Sequence, residues 1–359
     1  MTGYDYGNAR LRARGTGLLR GDQYAALAGR DGPGLLAALA ATCYRPDASR
    51  DGARGPVEQI GRIVHDHLVE ALAGIGGYYR DRAAGVVAAL LGRFDVHNVV
   101  ALLRARHRGV PADTACALLV PVGRLDADTA RQAAGEPDLP AAARFLAARG
   151  LPDPGSARVL LPASRQYEID ADLAPVEEAV ACSAWDSQIA TLAAGGPAAS
   201  PALAAQQREA DDLNLLLALR LREPTAGPAA SPGAAAASPG AAYLPGGTVG
   251  VPLLTAIRRA PAPADVLAAA APARPVWRRP LAAWADGGDL ATLHADLDTD
   301  RLRTALRLLR RGDPLGAAPV AHYVLAHLAQ ARNLRLFAQA SAGAVGHDEA
   351  RRHLVVPAA

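Results

Sequence analysis

Three stretches of this 359-residue chain repeat one pattern, an Asn set inside an apolar run of helical spacing. They are Phe94-Asp95-Val96-His97-Asn98-Val99-Val100-Ala101-Leu102-Leu103-Arg104, then Asp211-Asp212-Leu213-Asn214-Leu215-Leu216-Leu217-Ala218-Leu219-Arg220, and Gln330-Ala331-Arg332-Asn333-Leu334-Arg335-Leu336-Phe337-Ala338-Gln339. Arg104 and Arg220 close the first two copies, and Gln339 stands at that place in the third. A second pattern recurs in step: Gly17, Gly123 and Gly247 each precede a pair of apolar residues two helical turns apart, Leu19/Leu27, Leu125/Ala133 and Val249/Ile257. Two patterns in one order point to a threefold repeat, with domains at 1–122, 123–246 and 247–359. Such units far exceed the roughly 34–47 residues of helical solenoid repeats.

Composition sets the fold class. Half of the chain is apolar but only 4% is aromatic, with 3 Phe and 1 Met. The core is therefore Leu, Val and Ala, which favours helix over strand. The expectation is an all-α protein. Val57, Ile60, Val64, Leu68 and Leu72 mark one helix face, and Val86–Leu103 reads as a helix buried on two sides. A further stripe of Leu302, Ala305, Leu306 and Leu309 predicts a helix capped by Asp300, closed by Gly312 and Pro314, with Arg301, Arg303, Arg307 and Arg310 facing water. The Pro/Ala/Gly/Ser stretch 224–246 reads as a flexible linker, and Gly195–Ala205 as a smaller loop of the same kind.

Much chemistry is excluded. The chain has no lysine, so all 38 basic residues are Arg. Neither a Walker A loop nor a Schiff-base centre can be built without Lys. A net charge of +3 without a basic cluster gives no reason to expect nucleic acid. Cys43, Cys116 and Cys182 stand apart without a CxxC pair, as in a reduced cytosolic protein. Met1–Arg20 is polar and unlike a secretory signal, and no stretch reads as a membrane span.

His65-Asp66-His67 and the pair His322/His327 lack the i, i+4 spacing of helical zinc ligands. Gly15-Thr16-Gly17 and Gly74-Ile75-Gly76-Gly77 are not dinucleotide fingerprints, and no GxSxG elbow occurs. No cofactor, metal or catalytic residue is therefore expected. Asn is a poor helix former. Its recurrence at 98, 214 and 333 suggests a side-chain task, in which the amide bridges to the backbone of a neighbouring helix or loop.

The carboxy-terminal third carries a resemblance. Pro314-Leu315-Gly316-Ala317-Ala318-Pro319-Val320-Ala321-His322-Tyr323 is followed by Asn333-Leu334-Arg335 and by Glu349-Ala350-Arg351-Arg352. This resembles the end of the C-type stalk component of V-type and archaeal-type rotary ATPases, the d-type component in vacuolar enzymes. Phe94-Asp95-Val96-His97-Asn98 looks like that family's first-repeat motif, and Tyr4-Asp5-Tyr6-Gly7-Asn8-Ala9-Arg10-Leu11-Arg12 its amino terminus. The likeness is concentrated at 4–27, 94–109 and 314–356. Gln330 departs from the family's usual Glu.

The resemblance implies a non-catalytic coupler, a funnel of three helical domains around a pseudo-threefold axis. Such a protein stands in the cytoplasm between central-shaft subunits and the membrane proteolipid ring, peripheral to the bilayer. Asn98, Asn214, Asn333, Asp95, Asp211, Arg104, Arg220 and Arg335 are then expected to be structural keystones. The alternatives are a generic helical scaffold and a metal-dependent helical enzyme using His and carboxylates.

Overall fold

The computed structural model describes residues 3–14, 17–44, 55–222 and 243–357. Every regular element among them is helical. In chain order they are α1 (Asp5–Arg14), α2 (Gly21–Leu27), α3 (Gly32–Ala40), α4 (Pro56–Leu72), α5 (Asp81–His107) and α6 (Ala112–Cys116). Then come α7 (Ala127–Gly135), α8 (Leu139–Ala148), α9 (Ala157–Asp170), α10 (Ala174–Ala194) and α11 (Ser200–Arg220). The last are α12 (Val251–Arg259), α13 (Pro263–Ala273), α14 (Arg278–Ala285), α15 (Leu290–Arg310), α16 (Ala318–Ser341) and α17 (His347–Arg352).

The helix starts are written in short-range chemistry. Asp31, Asp126 and Asp138 each accept the backbone N–H three residues on, from Gly34, Thr129 and Ala141, satisfying an orphan donor. The short helices α2, α7 and α12 all begin at the fourth residue after Gly17, Gly123 and Gly247. Each is followed by a second short helix, α3, α8 or α13, and each Asn-bearing segment lies in a long helix, α5, α11 or α16.

The chain divides into two compact units, 1–202 with 302–359, and 203–301. In the first, α4 packs on α16 while α5 packs on α10. Gly92 brings α5 so near α10 that a Cβ there would lie 3.1 Å from the Gln188 side-chain nitrogen. Around the second half of α5, Val99, Leu102, Leu103, Leu125, Leu139, Leu146, Leu160, Val176 and Val180 form one core. The second unit has its own core of Leu215, Leu219, Leu254, Ile257, Val266, Trp277, Leu281 and Leu297. Both cores combine the end of an Asn-bearing helix with the short helices that follow it in the chain.

Four expectations change. The helix carrying Leu302 starts at Leu290, so Asp300 lies inside it; Asp289 caps it instead, accepting from Thr292 N at 2.7 Å. Arg301 does not face water, because it pairs with Glu209 (3.0 Å) and Asp298. Part of the proposed loop Gly195–Ala205 is helical: a 3-10 turn spans Gly196–Ala199 and α11 starts at Ser200, where Pro201 suits a first turn. Finally, α5 has the length and apolarity of a membrane-crossing helix, with mean hydropathy 1.6 over its most apolar stretch, although 56% of that stretch is buried within the protein. Most of the stretch 224–246, and Gly15 with Thr16, lie outside the described residues.

Leu146 is fully buried in the α5–α10 core. Leu146→Ala leaves a cavity there and is expected to lower unfolding free energy by about 2–5 kcal/mol, read from the midpoint of urea denaturation.

Candidate functional site

The three Asn side chains make one and the same contact. Asn98 donates its amide N–H to Val120 O and accepts from Val120 N, both at 2.8 Å. Asn214 does so with Leu244, at 2.9 and 2.7 Å, and Asn333 with Val355, at 2.6 and 3.1 Å. Each carboxamide thus engages both backbone polar groups of one residue in the segment returning past the helix. All three Asn side chains are buried, where an unpaired amide would be costly.

One turn earlier on each helix, a second side chain holds the glycine-led segment. Asp95 accepts from Arg124 N and Leu125 N, each at 2.9 Å. Asp211 accepts from Thr248 N at 2.7 Å, Val249 N at 2.9 Å and the Thr248 hydroxyl at 2.8 Å. Arg274 also donates to Asp211.

In the third copy Gln330 takes this place. Its Oε1 accepts from Leu19 N at 2.6 Å, and its Nε2 donates to the Tyr44 hydroxyl at 2.8 Å. The glycines are needed where carboxylates press on them. A Cβ on Gly123 would lie 2.4 Å from Asp95, and one on Gly247 would lie 2.5 Å from Asp211. Gly17, opposite the neutral Gln330, has open space.

The Arg residues of the pattern share no geometry. Arg104 forms a bidentate pair with Glu177, both contacts at 2.6 Å. Arg220 and Arg335 are exposed as whole residues. Burial of its guanidinium end still pulls the Arg335 pKa below its usual value.

Asn8 is a polar anchor that the repeat pattern did not reveal. It is buried in α1, donates to Pro314 O and Gly316 O at 3.0 Å each, and accepts from the Tyr79 hydroxyl at 3.0 Å. Gly7 leaves room for that tyrosine, since a Cβ there would lie 2.4 Å from its ring. The signal in the sequence was the same as for the other three, an Asn inside a helix.

The histidines form a stack. His67 and His327 lie 6.0 Å apart between ring centroids, flanked by Tyr44 at 4.2 Å and Tyr323 at 4.5 Å. Burial holds the His67 pKa below its usual value and drops that of His327 to about 3. Among the described residues no group of three or more His, Cys, Asp and Glu is placed to hold a metal. In the second unit, burial pushes the Asp212 carboxyl up to about 6, against the hydrogen bond it accepts from Trp277 Nε1 at 2.6 Å.

These contacts can clamp backbone; none aligns a nucleophile with a base. Asn98→Leu leaves the buried Val120 N–H unpaired, while the Val120 carbonyl keeps its bond from Val122 N; the change is expected to cost about 1–3 kcal/mol, measured as a fall in thermal and urea midpoints with helical content retained. Asp212 gives a pH signature. Its folded pKa exceeds the unfolded value of 3.8, so the folded state binds the extra proton and stability declines as pH rises from 3.8 through about 6. Asp212→Asn should remove that decline, so urea unfolding of the two proteins diverges across this window by up to about 3 kcal/mol.

Among known families, the model for the ATP synthase (C/AC39) subunit matches residues 7–352. No curated protein matches the chain.

Proposed function

The chain belongs to the ATP synthase (C/AC39) subunit family, and on that premise we propose that it couples the rotating shaft of a V/A-type rotary ATPase to the membrane proteolipid ring. The family is a non-catalytic structural part of that machine. A part that transmits torque needs joints that keep their register under load, and it needs no tuned nucleophile. The observation that carries this reading is the threefold amide clamp, in which Asn98, Asn214 and Asn333 each hold both polar groups of a single backbone residue.

In this reading the sequence repeats 1–122, 123–246 and 247–359 are three domains around a pseudo-threefold axis. The Asn residues, with Asp95 and Asp211, are the keystones of their joints. Arg104 and Arg220 are surface residues of the same helices, open to partners or to local ion pairs, whereas the guanidinium of Arg335 is partly covered. The protein would stand on the cytoplasmic face, held to the membrane through the ring.

Purification of the complex from the native host tests this directly. The chain is expected to travel with the head, the shaft and the proteolipid ring together, and isolation without any of them overturns the proposal. Asn333→Leu in the assembled machine should leave ATP hydrolysis by the head within about twofold of normal while ion pumping falls severalfold. Equal loss of both, or of neither, counts against a coupling role.

A further inference from the structure

A cleft of about 840 Å³ opens between α1, the 3-10 turn Ile75–Tyr78 and the first turn of α5, apart from the clamps described above. Its lining includes Tyr6, Arg10, Tyr78, Arg80, Asp81 and Arg82. The volume lies within the range of built binding pockets, roughly 300–1,000 Å³.

Two features set this cleft apart from ordinary surface. The first is a preformed stack of aromatic rings and guanidinium groups. Tyr6 and Tyr78 meet edge to face at 6.5 Å; Arg10 lies over Tyr78 at 4.8 Å and over Tyr6 at 5.6 Å, and Arg14 lies over Tyr78 at 5.4 Å. Arg10 also donates to the Tyr6 hydroxyl at 2.6 Å. Tyr6 nonetheless remains 60% exposed, although most of the other tyrosines are buried. Stacked, exposed Tyr and Arg are the residue types that dominate protein interfaces, since they give large contact area at low entropic cost.

The second feature is an excess of unpaired positive charge. Arg80 and Arg82 are both exposed, and among the described residues no ion pair joins either to a carboxylate; Arg14 donates to the Ala73 carbonyl at 3.4 Å. Asp5 and Asp81, also in the lining, leave its three arginines, Arg10, Arg80 and Arg82, in the majority.

We propose that this cleft is a docking site for a short acidic segment of a neighbouring protein in the complex, with a Glu or Asp carboxylate held by Arg80 and Arg82 and an adjacent apolar side chain laid on Tyr6 and Tyr78. Charge complementarity selects the carboxylate, and the open face of Tyr6 selects the apolar neighbour. The inference rests on the function proposed above only in taking the partner to be another component of the same machine.

The test uses the assembled complex with Tyr6 replaced by the photocrosslinker p-benzoylphenylalanine. Irradiation should give one principal adduct, on another component, within a few residues of an Asp or Glu. No adduct, an adduct only to lipid or to this chain, or one on a segment without carboxylates overturns the proposal. Arg80→Glu with Arg82→Glu should weaken association with that component about tenfold or more at low salt and reduce its salt sensitivity, with the thermal midpoint of the isolated chain unchanged. Unaltered affinity sinks the idea. If the chain does not purify with the rotary ATPase at all, the functional proposal fails; if it does, but the crosslink or charge-reversal result is negative, only the cleft assignment fails.

Discussion

A carboxamide buried in a helix has two hydrogen-bonding ends that water cannot reach, and both must be met within the protein. Here each is met by a peptide group of the segment returning past the helix, so one side chain fixes that segment in position along and across the helix at once. Asn98, Asn214 and Asn333 do this with Val120, Leu244 and Val355. A slip by one residue would break both bonds. The acceptor one turn earlier then fixes a second strip of backbone, and the cores form between these two points.

The three joints are alike in geometry and different in charge. Asp95 and Asp211 accept through carboxylates, where bonds to backbone N–H are charge-assisted. Gln330 is neutral and makes up a second contact through Tyr44, far away in sequence. Its backbone acceptor contact also reaches Leu19, so the carboxy-terminal long helix is latched to the amino-terminal region, and Asn8 ties α1 to Pro314 and Gly316 in the same way. The two ends of the chain are thus parts of one unit. The middle joint shows what such a design tolerates: Asn214 finds its partner 30 residues on, against 22 for Asn98 and Asn333, and added chain between two pinned points costs little closure entropy.

A component of a rotary machine is judged by stiffness. Leu- and Ala-rich helices pack closely and interdigitate, so the interior transmits strain with little give. Polar groups in the interior are used here to lock backbone, and the perturbed ionisation of Asp212 and His327 follows from burial within such packing.

The helical class, most apolar positions and the recurrence of Asn were legible because they depend on residue spacing along one helix: the stripe from Val57 to Leu72 gave the helix Pro56–Leu72 to within a residue, with Ile60, Val64, Leu68 and Leu72 buried, whereas Val57 in its first turn is exposed. Helix starts were less so. Asp300 and Asp289 are equally plausible caps by type, and only the packing of the full α15 decides that the earlier one is used. Arg301 looked exposed because its charge says nothing of the facing Glu209, nearly a hundred residues away.

What the sequence by itself determined is the set of groups that cannot be left unpaired and the faces that must be hidden, since both follow from local chemistry. Which backbone satisfies each amide, why Arg104 found Glu177 while Arg220 stayed in solvent, and how Tyr6 came to stand open in a cleft with three arginines were decided only by the tertiary structure. Those pairings join residues whose sequence separation carries no signal, and only the packing of whole helices brings them within a few ångströms.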